Sequence, residues 1–82
     1  MNRRIIVYKA VSAYKNYVDC TQDHKLNPYV SKLYWEEYDA IIFTLRALKE
    51  YRLCRAIYNL IDKGIYRERE IERYCIENNI PE

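Results

Sequence analysis

The segment from Asn27 to Glu50 constrains the fold of this chain most, because apolar residues recur along it at the spacing of a helix. At about 100° per residue, one stripe contains Val30, Tyr34, Tyr38, Ile41, Leu45 and Leu48. Trp35 and Ile42 widen this stripe, whereas Phe43 lies on the opposite side of the helix. A helix that is apolar on so many sides needs cover from the rest of the chain or from a second copy of the chain.

Helices are also predicted on both sides of this central segment. Apolar residues at helical spacing predict a first helix from Arg3 to Asp19, although the β-branched run from Ile5 to Tyr8 is also compatible with a short strand. A polar connection from Cys20 to Asn27 follows, and its last residue is suited to cap the central helix. Near Glu50 the apolar stripe changes phase to Leu53, Ile57 and Leu60, which predicts a break and then a third helix from Arg52 to Lys63 with these three residues on its apolar face.

The last third of the chain is predicted to form an antiparallel helical hairpin. Gly64 suits the left-handed position that ends a helix, and a fourth helix is predicted from Tyr66 to Asn78. Cys54 and Cys75 are equidistant in sequence from this turn, so the hairpin should bring them together. They would then be buried thiols that pack as small apolar groups, a disulfide, or reactive thiols. We therefore expect an all-α bundle of three or four helices, a single domain over residues 1–82 that forms a dimer.

Composition excludes several classes of protein. The net charge is +2, from 14 basic and 12 acidic residues, which matches neither an acidic mimic of nucleic acid nor a strongly basic DNA-binding domain. The chain has no apolar run of about 18 residues, so we expect no membrane span and a cytoplasmic location. Ten tyrosines, in a chain of 82 residues that is 50% apolar, are more than a small domain readily hides. This excess favours an interaction surface.

Few residues in the sequence are placed for catalysis or metal binding. A single glycine rules out the glycine-rich loops that hold phosphates, and the cysteines lack the spacing of zinc motifs. His24 next to Asp23 is better explained as an exposed loop residue than as an acid–base pair. Glu36 and Asp39 lie one helical turn apart, but carboxylates early in a helix are explained by its dipole. We therefore expect no enzyme, no metal and no cofactor.

The excess of aromatic residues predicts a non-enzymatic interaction module, an adaptor or inhibitor that covers a partner's surface. Its interface, with an unidentified protein or with a second subunit, is predicted at Trp35, Ile42 and Phe43. The small size and a composition that resembles small proteins of hyperthermophiles and their viruses add the expectation of a viral or mobile-element gene. The protein would then act in the host cytoplasm.

The alternative hypothesis is a small DNA-binding transcriptional regulator. A polar face of the third helix and an N-terminal arm would contact bases and phosphates through Arg52, Arg55, Asn59, Lys63, Arg3 and Arg4. The two helices around Gly64 share the outline of a helix-turn-helix. However, Leu60 and Glu70 stand where that motif has a small and an aliphatic residue, so the motif is not assigned.

Overall fold

The computed structural model describes residues 2–22 and 28–82, and every secondary-structure element in this part of the chain is an α-helix. In chain order the helices are α1 (Arg3–Gln22), α2 (Pro28–Ala47), α3 (Tyr51–Asp62) and α4 (Glu68–Glu77). The run from Ile5 to Tyr8 belongs to α1, so the strand alternative is wrong for these residues. Helix α1 also continues through Cys20 to Gln22, three residues beyond its predicted end. The predicted cap Asn27 and the pair Asp23 and His24 lie outside the described residues.

The turns that follow α2, α3 and α4 each contain one residue in the left-handed conformation. These residues are Lys49, Gly64 and Asn79, with φ of 61°, 67° and 57°. After each one, the next amide donates a hydrogen bond to a carbonyl five residues earlier: Glu50 to Leu45 (2.8 Å), Ile65 to Leu60 (2.9 Å) and Ile80 to Cys75 (2.9 Å). This is the Schellman arrangement, which satisfies carbonyls that the helix leaves free. The predicted break near Glu50 and the predicted role of Gly64 are both confirmed.

Helix α1 is the centre of the bundle, because it packs against α2, α3 and α4, while α2 also packs against α3. All four helices and the C-terminal segment contribute to one core. Its largest fully buried side chains are Val7, Val11, Leu45, Leu53, Ile57, Leu60, Ile71, Cys75 and Ile80. Each fully buried Val, Leu or Ile stabilises the fold by about 1.5–3 kcal/mol through the hydrophobic effect. No side chain in the described core leaves a buried polar atom without a hydrogen bond.

The buried face of α2 is rotated relative to the predicted stripe. Tyr38, Ile42 and Leu45 are buried, whereas Val30 and Leu48 are 37% and 58% exposed. The reason is that α1 and α3 lie on the side of Ile42 and leave the opposite edge of the stripe uncovered. With only 6% of its surface exposed, Ile42 is a core residue. The prediction that it lies on the exposed surface with Trp35 and Phe43 is therefore wrong.

Cys54 and Cys75 are both buried members of the same core and are free thiols in this structure. Burial raises the pKa of both thiols, which keeps them protonated and weakens them as nucleophiles. Their arrangement agrees with packing as small apolar groups. A disulfide between them under oxidising conditions stays a prediction.

Candidate interaction surfaces

Most of the large exposed apolar side chains of the described residues lie on α2 or in the turn after it. Phe43 is the most exposed of them, at 73%, followed on this element by Tyr29 at 65% and Leu48 at 58%. Leu33 is 49% exposed and lies nearer the start of the helix. Because α1 and α3 cover only one side of α2, the rest of the helix presents these side chains to solvent. Apolar groups concentrated on one element indicate an interaction surface more strongly than single scattered ones.

A groove with almost entirely apolar walls runs along the uncovered edge of α2. It is lined by Ile6, Ala40, Ile41, Thr44, Leu45 and Leu48. Sequence reasoning missed this groove because it assigned Ile41 and Leu48 to the buried stripe of the helix. The signal in the sequence was the width of that stripe, which is greater than one neighbouring helix can cover.

Trp35 takes part in a cluster of four aromatic rings between α1 and α2. Its ring centroid lies 5.1 Å from that of Tyr17 and 5.5 Å from that of Tyr38. Tyr14 closes the cluster, at 5.4 Å from Tyr38 and 6.3 Å from Tyr17. The rings are tilted against one another, which is a favourable geometry for aromatic pairs. Although Trp35 is 41% exposed, its ring therefore serves the contact between the two helices.

Phe43 has a different environment from Trp35. It lies on the side of α2 away from the core and takes part in none of the ring contacts found among the described residues. Of the three residues predicted to form an interface, Ile42 is in the core, Trp35 is partly used within the chain, and Phe43 alone is mostly exposed.

The face of α3 predicted to bind nucleic acid is connected to α4. The Arg52 guanidinium donates a hydrogen bond of 2.5 Å to the carbonyl oxygen of Asn78. The side-chain amide of Asn59 donates to the Tyr74 hydroxyl at 3.2 Å. Lys63 Nζ lies 5.6 Å from the centre of the Tyr74 ring, within the range of a cation–π contact. Three of the four predicted groups thus have partners within the chain.

Arg55 is the fourth predicted group on this face. It is exposed, and within the described residues it makes no hydrogen bond or ion pair that meets ordinary distance limits. With Arg52 and Asn59 it lines a shallow groove that Tyr74 and Asn78 complete. This groove places the Arg55 guanidinium, which has no partner among the described residues, next to polar groups that already have partners.

The two arginines predicted to form a phosphate-binding arm lie in the first turn of α1. Arg3 pairs with Glu50 at 3.0 Å, which ties α1 to the turn before α3. Arg4 donates through Nε to the carbonyl oxygen of Ile80 at 2.9 Å, and its Nη1 lies 3.4 Å from Glu82 Oε1. Both side chains therefore connect distant parts of the fold.

Within residues 2–22 and 28–82 there is no group of three or more His, Cys, Asp or Glu side chains arranged to hold a metal ion. Glu36 is one of the two carboxylates considered for such a site, and its Oε1 lies 4.0 Å from Lys32 Nζ. No helix in this part of the chain is both long and apolar enough to cross a membrane.

Within the described residues, these features define an all-α bundle of four helices with an uncovered apolar edge on α2. No protein-family model, no curated protein and no solved structure matches the chain.

Proposed function

We propose that this chain is a non-enzymatic protein-interaction module, an adaptor or inhibitor that works by covering a partner's surface. The observation that supports this proposal is the concentration of exposed apolar side chains on α2. The helix is held by its other side, through Tyr38, Ile42 and Leu45 in the core. A rigid helix loses little conformational freedom when a partner binds, which favours affinity for a given contact area.

Phe43 is the proposed anchor of this interaction. It is an aromatic side chain that is 73% exposed, and burying it fully would contribute about 1.5–3 kcal/mol. Interfaces depend on a few such residues, with polar side chains at the rim that set orientation. Arg46 stands near the end of α2, where its guanidinium donates to the Tyr58 hydroxyl at 2.8 Å. That hydrogen bond holds a positive charge near this surface.

The proposal includes two finer features of the architecture. We infer that α3 and α4 form an antiparallel hairpin. The hydrogen bonds from Arg52 to Asn78 and from Asn59 to Tyr74 support this, because the residue further along α3 contacts the residue nearer the start of α4. We also infer that the chain forms a homodimer through the uncovered edge of α2.

The test is site-specific photocrosslinking in cells that make the full chain. A benzophenone amino acid at position 43 should trap a partner, whereas the same group at position 76 should not. Ile76 is a suitable control because it is also an exposed apolar residue, at 55%, but lies on α4. Purified partner should bind the Ile76→Ala chain normally and the Phe43→Ala chain at least about tenfold more weakly. Equal trapping at the two positions would count against Phe43 as the anchor.

A second candidate function is DNA binding by α3, and the groove beside Arg55 is the observation that favours it. A nucleic-acid surface there would need Arg52 and Lys63 to leave their contacts with Asn78 and Tyr74. The test is the salt dependence of binding to duplex DNA. Affinity that falls steeply with salt, with a smaller slope for Arg55→Ala, would support this function. The absence of binding at low salt would exclude it.

A further inference from the structure

We propose that a second copy of this chain covers the uncovered edge of α2, with the two α2 helices antiparallel about a two-fold axis between Ala40 and Ile41. The inference rests on the proposed function, since it names one partner of the interaction module and the surface that this partner uses. We call this surface the paired face. It consists of Leu33, Glu37, Ala40, Ile41, Thr44 and Leu48.

Among the described residues the paired face is mostly exposed, and only Ile41 is partly buried against the core. Ala40, Ile41, Thr44 and Leu48 all line the apolar groove, which places them along one edge of the helix. Leu33 follows the same edge by helical spacing and is 49% exposed. This edge is apolar and exposed to solvent in the monomer, so it is suited to burial by another helix.

The order of residues on this face is symmetric about its centre. Leu33 and Leu48 lie equally far from the midpoint between Ala40 and Ile41 along the chain. In a two-fold contact, residue i of one copy meets residue j of the other, and j meets i. An antiparallel pair of α2 helices about this midpoint therefore sets Leu33 of each copy against Leu48 of the other. The small side chain of Ala40 at the centre lets the helices approach closely.

Charge complementarity also favours a second copy. Glu37 lies within the paired face, between apolar neighbours, and Lys9 lies one turn after Ile6 on the adjoining edge of α1. Both are exposed, and neither belongs to an ion pair within the described residues. The antiparallel dimer would supply each with a partner.

The relation between α1 and α2 determines where these charges meet. The contacts of Tyr17 with Trp35 and of Tyr14 with Tyr38 show that α1 and α2 run antiparallel. The α2 helix of a second copy would therefore run parallel to α1. In the proposed register its Glu37 comes beside Lys9, and the two-fold axis repeats this ion pair. The result is a four-helix arrangement built from two α1–α2 pairs, a common form of helical bundle.

Phe43 lies roughly a third of a turn around α2 from the paired face. A dimer formed through the paired face therefore leaves Phe43 available to another protein, once on each side. The dimer and the proposed adaptor function thus use different side chains of the same helix.

The test is the mass in solution by sedimentation equilibrium over a range of concentrations. We expect a dimer with a dissociation constant of about 1–100 µM, as suits a small interface. Leu33→Glu should weaken it about a hundredfold or more, because each dimer would bury two carboxylates against leucine. The matched control Ile76→Glu should leave it unchanged. A monomer at every concentration up to about 1 mM, or a dimer insensitive to Leu33→Glu, would overturn the inference.

Charge reversal gives a second test that does not depend on leucine packing. Glu37→Lys alone and Lys9→Glu alone should each weaken the dimer, because like charges would then meet twice across the interface. The double variant restores opposite charges and should recover most of the affinity. Equal, additive losses in the double variant would contradict the proposed register.

The two proposals can fail separately. Loss of the dimer in Leu33→Glu, with crosslinking at position 43 unaffected, supports both. A monomeric chain that still crosslinks a protein at position 43 overturns the dimer and supports the adaptor function. A dimer with the expected sensitivity to Leu33→Glu but without any crosslink at position 43 supports the dimer and counts against Phe43 as an anchor.

Discussion

Replacing Trp35 and Phe43 by alanine separates a residue used in the fold from one left for a partner. Complete removal of a buried Trp or Phe side chain costs about 3–5 kcal/mol. Trp35 is 41% exposed, so somewhat more than half of that cost applies, and its contacts with Tyr17 and Tyr38 place the loss near about 2–3 kcal/mol. Phe43 is 73% exposed, and alanine is the better helix former, so Phe43→Ala should change the free energy of unfolding by less than about 0.5 kcal/mol.

The assay is urea unfolding followed by far-ultraviolet circular dichroism, since Trp35 is the only tryptophan and its fluorescence is lost in the variant. All proteins should be compared at one concentration, because the stability of a dimer depends on concentration. A difference of about 2 kcal/mol corresponds to roughly 8–16 °C in melting temperature for a domain of this size. The reasoning would be refuted if Trp35→Ala cost less than about 0.5 kcal/mol, because the aromatic cluster would then contribute little to the contact between α1 and α2.

Three further predictions concern stability and titration. Lys49→Gly should stabilise the fold by about 0.5–1 kcal/mol in the same urea assay. Lys49 has a φ of 61°, and glycine removes left-handed strain of about 1–2 kcal/mol there, less the larger conformational entropy that glycine loses on folding. Lys49→Ala keeps the strain and should be neutral. Burial raises the pKa of Tyr38 to about 12, so as the pH rises the unfolded chain loses the phenolic proton before the folded chain does. The free energy of unfolding should therefore fall between about pH 10 and pH 12. Tyr38→Phe should remove this part of the fall in a pH series of melting temperatures. Ellman's reagent should modify the partly exposed Cys20 first, and the buried Cys54 and Cys75 only as the fold opens. A melting temperature that depends on reductant would instead indicate a disulfide between Cys54 and Cys75.

Helix α3 shows how much of this fold the sequence predicts. Its inward residues Leu53, Ile57 and Leu60 are all buried, and Gly64 takes the left-handed conformation that was expected of it. These predictions succeed because they depend on local spacing and on the conformational freedom of one glycine. Lys49 takes the same conformation without any such signal, because the Schellman hydrogen bonds at the end of α2 can impose it on an ordinary residue.

The candidate surfaces were harder to predict, because each depends on which helix lies beside another. Ile42 and Leu48 lie on opposite edges of one wide apolar stripe, and only the position of α1 and α3 decides that Ile42 is the buried one. In the same way, periodicity places Arg52 and Asn59 on one face of α3 but does not reveal that Asn78 and Tyr74 are within reach. Periodicity therefore groups residues on the faces of single helices, but it does not show which of those residues the rest of the chain covers or binds.

Polar and apolar side chains have partly exchanged their usual roles in this bundle. Arg3, Arg4 and Arg52 bind carboxylate or carbonyl groups elsewhere in the chain, and so help to hold the helices together. Leu33 and Leu48, which would ordinarily do this, are about half exposed. A small domain has limited apolar surface with which to stabilise itself. Two leucines exposed to solvent on one edge therefore contribute little to its stability unless another surface covers them. The symmetric placement of these leucines about Ala40 and Ile41 makes a second copy of the chain the simplest surface that can do so.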